Sequence, residues 1–356
     1  MKKMLYIMGV EWNWIFQRPH IFAIELQKDY EVTVVCPKQL IRGKRQNNTP
    51  PEQLIELVQI PFQEKNNLVG AFANKIHRHA LGDLCEYDLI WVGYPLYGRY
   101  IPKDYQGTII YDCMDNFEAL YPDQRKKAIN NVLTMEKELL IRANIVFASS
   151  QKLKDKLLKV CPNKKIDLVR NGYSNISICQ PEPAIKRDIY TLGYIGTISE
   201  WFDSSVVEES LKANTNIKYD LAGPISRHQL MTNPRVTYSG VVEHGKLSEY
   251  VREIDCLIMP FMISEIVLYV DPVKLYEYIA WGKCIIASWY PEIDRFDNYV
   301  YFYHNKQEYL QLVEYLAEKG FPPKYTQEQQ IDFLRGNTWE ERVNLVKEAL
   351  ALREKT

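Results

Sequence analysis

Short apolar runs alternate along the chain with stretches of helical spacing, and Gly, Pro and Asn punctuate the joins. Residues 5–8 are apolar and end at Gly9, Pro19 opens a helical stretch to residue 26, and 31–36 reads as the next strand. The chain therefore begins with a strand–helix–strand unit. A polar loop over 38–52 leads to a strand at 57–60 and a stretch of helical spacing over 66–80. Strands follow at 88–92 and 108–111, then a long helix at 123–142, a strand at 144–148, a helix from about residue 150 and a strand at 167–170. Asn171-Gly172 is a turn signal. Residues 174–188 carry two Pro, several polar residues and no periodicity, as a linker between domains does.

The same layout restarts at 189–195. Further strands are predicted at 217–222, 235–238, 255–260, 284–287 and 299–303, with helices from about Asp203 and over 272–281. The remainder is helical, and Thr338 with Glu341 three residues on forms a capping-box pattern before a final helix. Alternating strands and helices predict an α/β protein of two Rossmann-like parallel-sheet domains. The expected boundaries are 1–173, a linker at 174–188, 189–336, and a last helix at 337–356. No internal repeat or low-complexity segment is present.

Composition narrows the class. A length of 356 residues suits two domains with their own cores. The net charge of −1 gives no global attraction to nucleic acid or to an anionic membrane, and no nucleic-acid partner is expected. The seven Cys are scattered without metal spacing, which points to free thiols in a reducing, cytoplasmic setting. The apolar run after Met1-Lys2-Lys3 is broken at Glu11, so it reads as a buried strand, not a secretion signal. Only Gly9 follows the first strand, which disfavours the Gly-x-Gly-x-x-Gly fingerprint of a dehydrogenase.

Candidate chemistry gathers in 271–288. Asp271 suits an N-cap, Pro272 the first helical position and Gly282 the left-handed residue after the helix. Lys274 and Glu277, three apart, share one face of its first turns. A helix N-terminus with a Lys suits a diphosphate, and a carboxylate one turn later can accept from both hydroxyls of a ribose. An ordinary amphipathic helix with two solvated charges has the same spacing. Upstream, Gly196 and Thr197 follow a strand and precede a helix, allowing close approach of a phosphate.

In the first half, Trp12, Trp14, Gln17, Arg18 and His20 sit in the loop after the first strand, where ligand crevices of open parallel sheets lie. Arg18 could equally be a structural ion pair in a loop pinned to the domain. Asp112 and Asp115 follow a strand end, where either is a candidate general base; equally, one could cap the following helix and the other be solvated. With no third ligand at suitable spacing, no metal is expected. The 66–80 helix gathers Lys75, His77, Arg78 and His79 late in its length. That pattern describes either a helix resting peripherally on an anionic bilayer or a surface helix with cations near its C-terminus.

The run Asp271-Pro-x-Lys274-x-x-Glu277-Tyr-x-Ala-x-Gly282-Lys-x-x-x-Ala-Ser288 resembles the C-terminal donor-site motif of bacterial glycosyltransferases of the GT-B fold (family 4-like). Its nearest branch includes teichuronic acid and other surface-polysaccharide transferases. The resemblance implies two facing Rossmann-like domains with chemistry between them and last helices returning to the first domain. It implies Glu277 on the ribose of a nucleotide sugar, Lys274 and the Gly196 turn on its phosphates, and an Asp-x-x-Asp at Asp112 and Asp115. A Trp with Gln17-Arg18-Pro19 in the acceptor domain and Asn171 beside the cleft are also implied. The donor would be a UDP-sugar, the acceptor a saccharide or lipid-linked saccharide, and no cofactor beyond the substrate is needed. One departure is Tyr269, where many retaining members carry a Glu. The alternatives are a non-hydrolysing nucleotide-sugar epimerase and a non-catalytic nucleotide-sugar-binding subunit.

Overall fold

The computed structural model describes residues 1–39, 48–61, 63, 67–121, 125–173, 178–226 and 229–354. The expected helix starts at Asn66 and Asp123, much of the loop after residue 38 and the first linker residues, 174–177, lie outside them. The chain forms two compact units, Met1–Arg170 with Arg342–Thr356, and Asn171–Glu341.

The first unit is built on β1 (Lys3–Ile7), α1 (Arg18–Leu26), β2 (Glu31–Gln39), β3 (Gln53–Gln59), α2 (Asn67–Leu81), β4 (Leu89–Val92), β5 (Thr108–Cys113), α3 (Lys126–Arg142), β6 (Ile145–Ala148), α4 (Gln151–Val160) and β7 (Asp167–Leu168). Among the described residues its sheet runs β3-β2-β1-β4-β5-β6-β7, with every pairing parallel. All four residues of β4 and of β6 are buried, because a parallel sheet is covered by helices on both faces. β3 begins four residues earlier than its apolar run suggests. As an edge strand with half-buried faces it lacks the continuous apolar signal of a central one.

The second unit contains β8 (Tyr190–Ile195), α5 (Ser204–Ala213), β9 (Ile217–Ala222), β10 (Val236–Gly240), α6 (Leu247–Arg252), β11 (Cys256–Met259), α7 (Val273–Ala280), β12 (Cys284–Ser288), β13 (Tyr301–Tyr303), α8 (Lys306–Lys319) and α9 (Gln327–Arg335). Its parallel sheet runs β10-β9-β8-β11-β12-β13 among the described residues. Asp203 caps α5 by accepting from Ser205 N–H at 3.0 Å. The final helix, α10 (Trp339–Glu354), is capped at Thr338, whose Oγ1 accepts from Glu341 N–H at 3.1 Å. Residues 342 onward count with the first unit, where Val343, Val346 and Leu350 are buried and Lys347 Nζ pairs with Asp29 at 2.5 Å.

Two corrections bear on the site. β5 continues through Cys113, so Asp112 is a strand residue opposite Phe147 and not a loop residue. α7 starts at Val273, with Pro272 at the N-cap, because the Asp271 side chain is engaged elsewhere.

Candidate functional site

In the second unit the carboxyl ends of β8 and β9 approach α7. Gly196 has φ +147° and Gly223 φ +136°, a region that side chains rarely adopt. A Cβ on Gly196 would stand 2.8 Å from Lys274 Nζ, and one on Gly223 would collide with the Gly196 carbonyl. Gly196 N–H donates to Ala222 O at 2.8 Å, and Ile195 N–H donates to the Tyr278 hydroxyl at 3.1 Å. Tyr278 thereby fastens the glycine turn to α7. The Tyr194 hydroxyl donates to Thr197 O at 3.1 Å, which fixes the turn's exit. Gly196, Thr197, Lys274 and Glu277 are brought together by this packing.

Lys274 and Glu277 are half-buried. Among the described residues neither makes a hydrogen bond or ion pair, although the Lys274 ammonium lies 5.8 Å from the Tyr194 ring centroid and 5.9 Å from that of Phe261. Burial lowers the Lys274 pKa, against the pull of Glu277. Burial also pushes the Glu277 carboxyl up to about 7, and Lys274 only partly offsets it. A ligand offering an anion to one and hydroxyls to the other would satisfy both.

Asp271 is 2% exposed and acts as a hub. Its carboxylate accepts from Arg295 and from Asn171 N–H (2.6 Å) and bonds the Tyr276 hydroxyl (3.0 Å), while Asn171 Nδ2 donates to Asp271 O at 2.7 Å. Asp271 and Asn171 thus set the approach to α7, and the expected N-cap role of Asp271 is replaced by a buried ion pair. Arg295 has no local sequence signal: it is 24 positions from its partner.

In the first unit, side chains of β5 alternate faces. Tyr111 donates to Glu136 at 2.6 Å on the α3 side, and Asp112 points to α1. Arg18 grips Asp112 through both oxygens, Nε to Oδ2 at 3.0 Å and Nη2 to Oδ1 at 2.7 Å, and its Nη1 donates to Val169 O at 2.7 Å. With exposures of 4% and 1% this is a buried pair. Asp112 therefore cannot take a proton from an outside hydroxyl, and Arg18 is the structural ion pair. Asp115, two residues past the strand, is different: half-buried, with no hydrogen-bond or ion-pair partner for its carboxylate among the described residues. Burial pushes it up to about 7, Arg18 drawing it down and Asp112 adding to the rise.

The aromatic loop is largely structural. Trp12 is 2% exposed, and its indole donates to Thr49 O at 2.9 Å. His20 Nδ1 accepts from Gln17 N–H at 3.4 Å, so Nε2 carries the proton that Trp12 O accepts at 3.0 Å. Burial lowers the His20 pKa and keeps the ring neutral. These contacts occupy the Trp12 indole and both ring nitrogens of His20, whereas Gln17 is engaged through its backbone N–H and its side chain is half-buried. Trp14 is half-buried, held where Asn48 Nδ2 bonds its carbonyl at 2.9 Å.

No family model matches the chain. It is 25% identical, over 317 aligned positions covering 79% of this chain and 78% of the other, to TuaH of Bacillus subtilis (strain 168), provisionally named a teichuronic acid biosynthesis glycosyltransferase. Sucrose-phosphate synthase from Thermosynechococcus elongatus superposes with a TM-score of 0.73 at 14% identity, covering 99% of this chain and 100% of that one. HepE of Anabaena, in complex with UDP and glucose, gives 0.68 at 14% identity over 99% and 100%. The lipopolysaccharide outer core galactosyltransferase WaaB gives 0.67 at 12% over 98% and 99%. The fold is GT-B. Within this GT-B chain the first unit pairs Asp112, on β5, with Arg18 and leaves Asp115 raised to about 7, while the second pairs Asp271, ahead of α7, with Arg295 and leaves Glu277, on α7, raised to about 7.

Arg18→Met strands the Asp112 carboxylate in the interior and is expected to lower the unfolding free energy by about 3–5 kcal/mol. Arg18→Met with Asp112→Leu should regain most of that loss in urea denaturation; an Arg18 serving only an external ligand would leave stability unchanged. For Glu277 the folded pKa of about 7 exceeds the reference 4.5, so its stabilising contribution is complete below pH 4.5 and is lost as pH rises through 7. The Tm of Glu277→Gln, relative to the parent, should therefore climb between pH 4.5 and 7. A difference that stays flat across that window would refute the buried-carboxyl assignment.

Proposed function

We propose that the chain is a glycosyltransferase that moves a sugar from a nucleoside-diphosphate sugar, with uridine as the base, to a saccharide or lipid-linked saccharide acceptor in cell-surface polysaccharide synthesis. The supporting observation is the unpartnered pair Lys274 and Glu277 on the first turns of α7, packed against the Gly196 turn. As the bond between the anomeric carbon and the leaving phosphate oxygen breaks, negative charge grows on the diphosphate. The Lys274 ammonium and the first N–H groups of α7, beside the Gly196 turn, would meet that charge and so act on rate as well as affinity. Glu277 accepts from the ribose hydroxyls. With that positive charge supplied by the protein, the reaction needs no divalent ion.

Asp115 takes the proton of the attacking acceptor hydroxyl. A carboxyl near 7 is half-ionised at neutral pH and is a strong enough base to assist, which favours a transferase over a subunit that only binds nucleotide sugar. The names of TuaH and WaaB and the UDP and glucose bound to HepE agree with this donor and product class. Seven free cysteines fit a cytoplasmic site of action, where nucleotide sugars are made.

Thermal-shift titration with UDP, GDP and ADP tests the donor site. At about a hundred times its dissociation constant a ligand stabilises by roughly 2.7 kcal/mol, a shift of several degrees. UDP should give that shift and Glu277→Ala should abolish it; no shift with any of the three would remove the donor assignment. Asp115→Asn should keep the UDP shift and lose about 10²–10⁴ in kcat with a UDP-sugar, in the presence or absence of EDTA. Full turnover by Asp115→Asn would exclude it as the base.

A further inference from the structure

The outward face of α2 is unlike that of an ordinary surface helix. Ala73 and His77 are buried against the domain, where the His77 ring bonds Val58 O through Nε2 and the Tyr100 hydroxyl through Nδ1, both at 2.8 Å. Leu68, Phe72 and Ile76, at i, i+4 and i+8, lie away from that face and are 82%, 61% and 41% exposed. Lys75, Arg78 and His79 are exposed beside them, and the helix contains no Asp or Glu. Among the described residues no carboxylate pairs with Lys75, Arg78 or His79; Arg78 donates only to the Arg99 carbonyl at 2.9 Å. This concentration of positive charge is local, since the whole chain carries −1.

We propose that the Leu68-Phe72-Ile76 face of α2 docks on an anionic lipid bilayer, with the three apolar side chains entering the headgroup–acyl boundary, Lys75 and Arg78 meeting lipid phosphates and His79 lying beside them. Charge complementarity selects this occupant: apolar residues flanked by unpaired cations, with no acidic residue, match a surface that is apolar below and anionic above. A protein partner fits less well. Three side chains along about 12 Å of helix fall well short of the roughly 800 Å² per partner of a stable protein interface. No helix of the described residues is long and apolar enough to cross a membrane, so the contact is one of lying on the surface. The inference stands on α2 alone and does not depend on the donor site.

Co-sedimentation of the full chain with vesicles of phosphatidylcholine alone, and with 30% phosphatidylglycerol added, at about 0.1 M salt tests it. The parent chain should pellet with the anionic vesicles and remain free of the neutral ones. Lys75→Gln should weaken that binding about fivefold. Leu68→Ser with Phe72→Ser should abolish it, while the parent's thermal shift with UDP, measured alongside, is unchanged because these side chains are exposed. Binding by the parent to neither vesicle, or to both equally, overturns the proposal, as does parental binding by the Ser variant. A UDP shift that is absent from parent and variants alike, with lipid binding intact, would count against the donor site and leave the docking surface standing.

Discussion

A buried carboxylate must find a cation or give up its charge, and the candidate carboxyls of this protein divide along that constraint. Taking an ion out of water costs several kcal/mol unless a partner with good geometry replaces the lost solvent. Arg18 meets the demand for Asp112 with two parallel bonds and extends to the Val169 carbonyl, so it binds α1 to β5 and to the chain leaving β7. Arg295 does the same for Asp271, joined by Tyr276 and Asn171. These two arrangements hold the loops at the strand ends. The carboxyls of Asp115 and Glu277, with no such partner, are the ones whose protons are loosely balanced at neutral pH.

Much of this was legible in the sequence because parallel strands announce themselves as apolar runs with turn residues behind them. The α7 face was legible for a related reason: Lys274 and Glu277 are three apart, and helical geometry puts such residues together without further information. Pairings across the chain were not legible. Asp112 and Arg18 are 94 positions apart, and nothing in either neighbourhood says that β5 runs two residues further and turns Asp112 inward. The polar and aromatic residues of the first loop read as lining a ligand crevice, yet Trp12 satisfies its indole on Thr49 and its carbonyl on His20. A polar-aromatic loop that closes its own hydrogen bonds has the same composition as one that offers them to a ligand.

The two poised carboxyls differ in what poises them. Glu277 is raised by burial beside a cation that is itself disfavoured by burial, so each member of the pair would gain from a ligand that brings the missing contact. An unpartnered pair of this kind is less stable than a fully apolar or fully paired one, a cost typical of groups kept for function. Asp115 is raised by burial with two opposing influences from one neighbour: Arg18 lowers its pKa and Asp112 raises it. Because those charges sit in one bidentate pair, they act on Asp115 mainly as a dipole, and burial is left to set the value. In the proposed reaction Asp112 therefore bears on proton transfer at Asp115 without touching a substrate. It holds the Arg18 charge in place, and a free Arg18 beside Asp115 would drag that carboxyl back toward the ordinary range, where it is too weak a base for an alcohol.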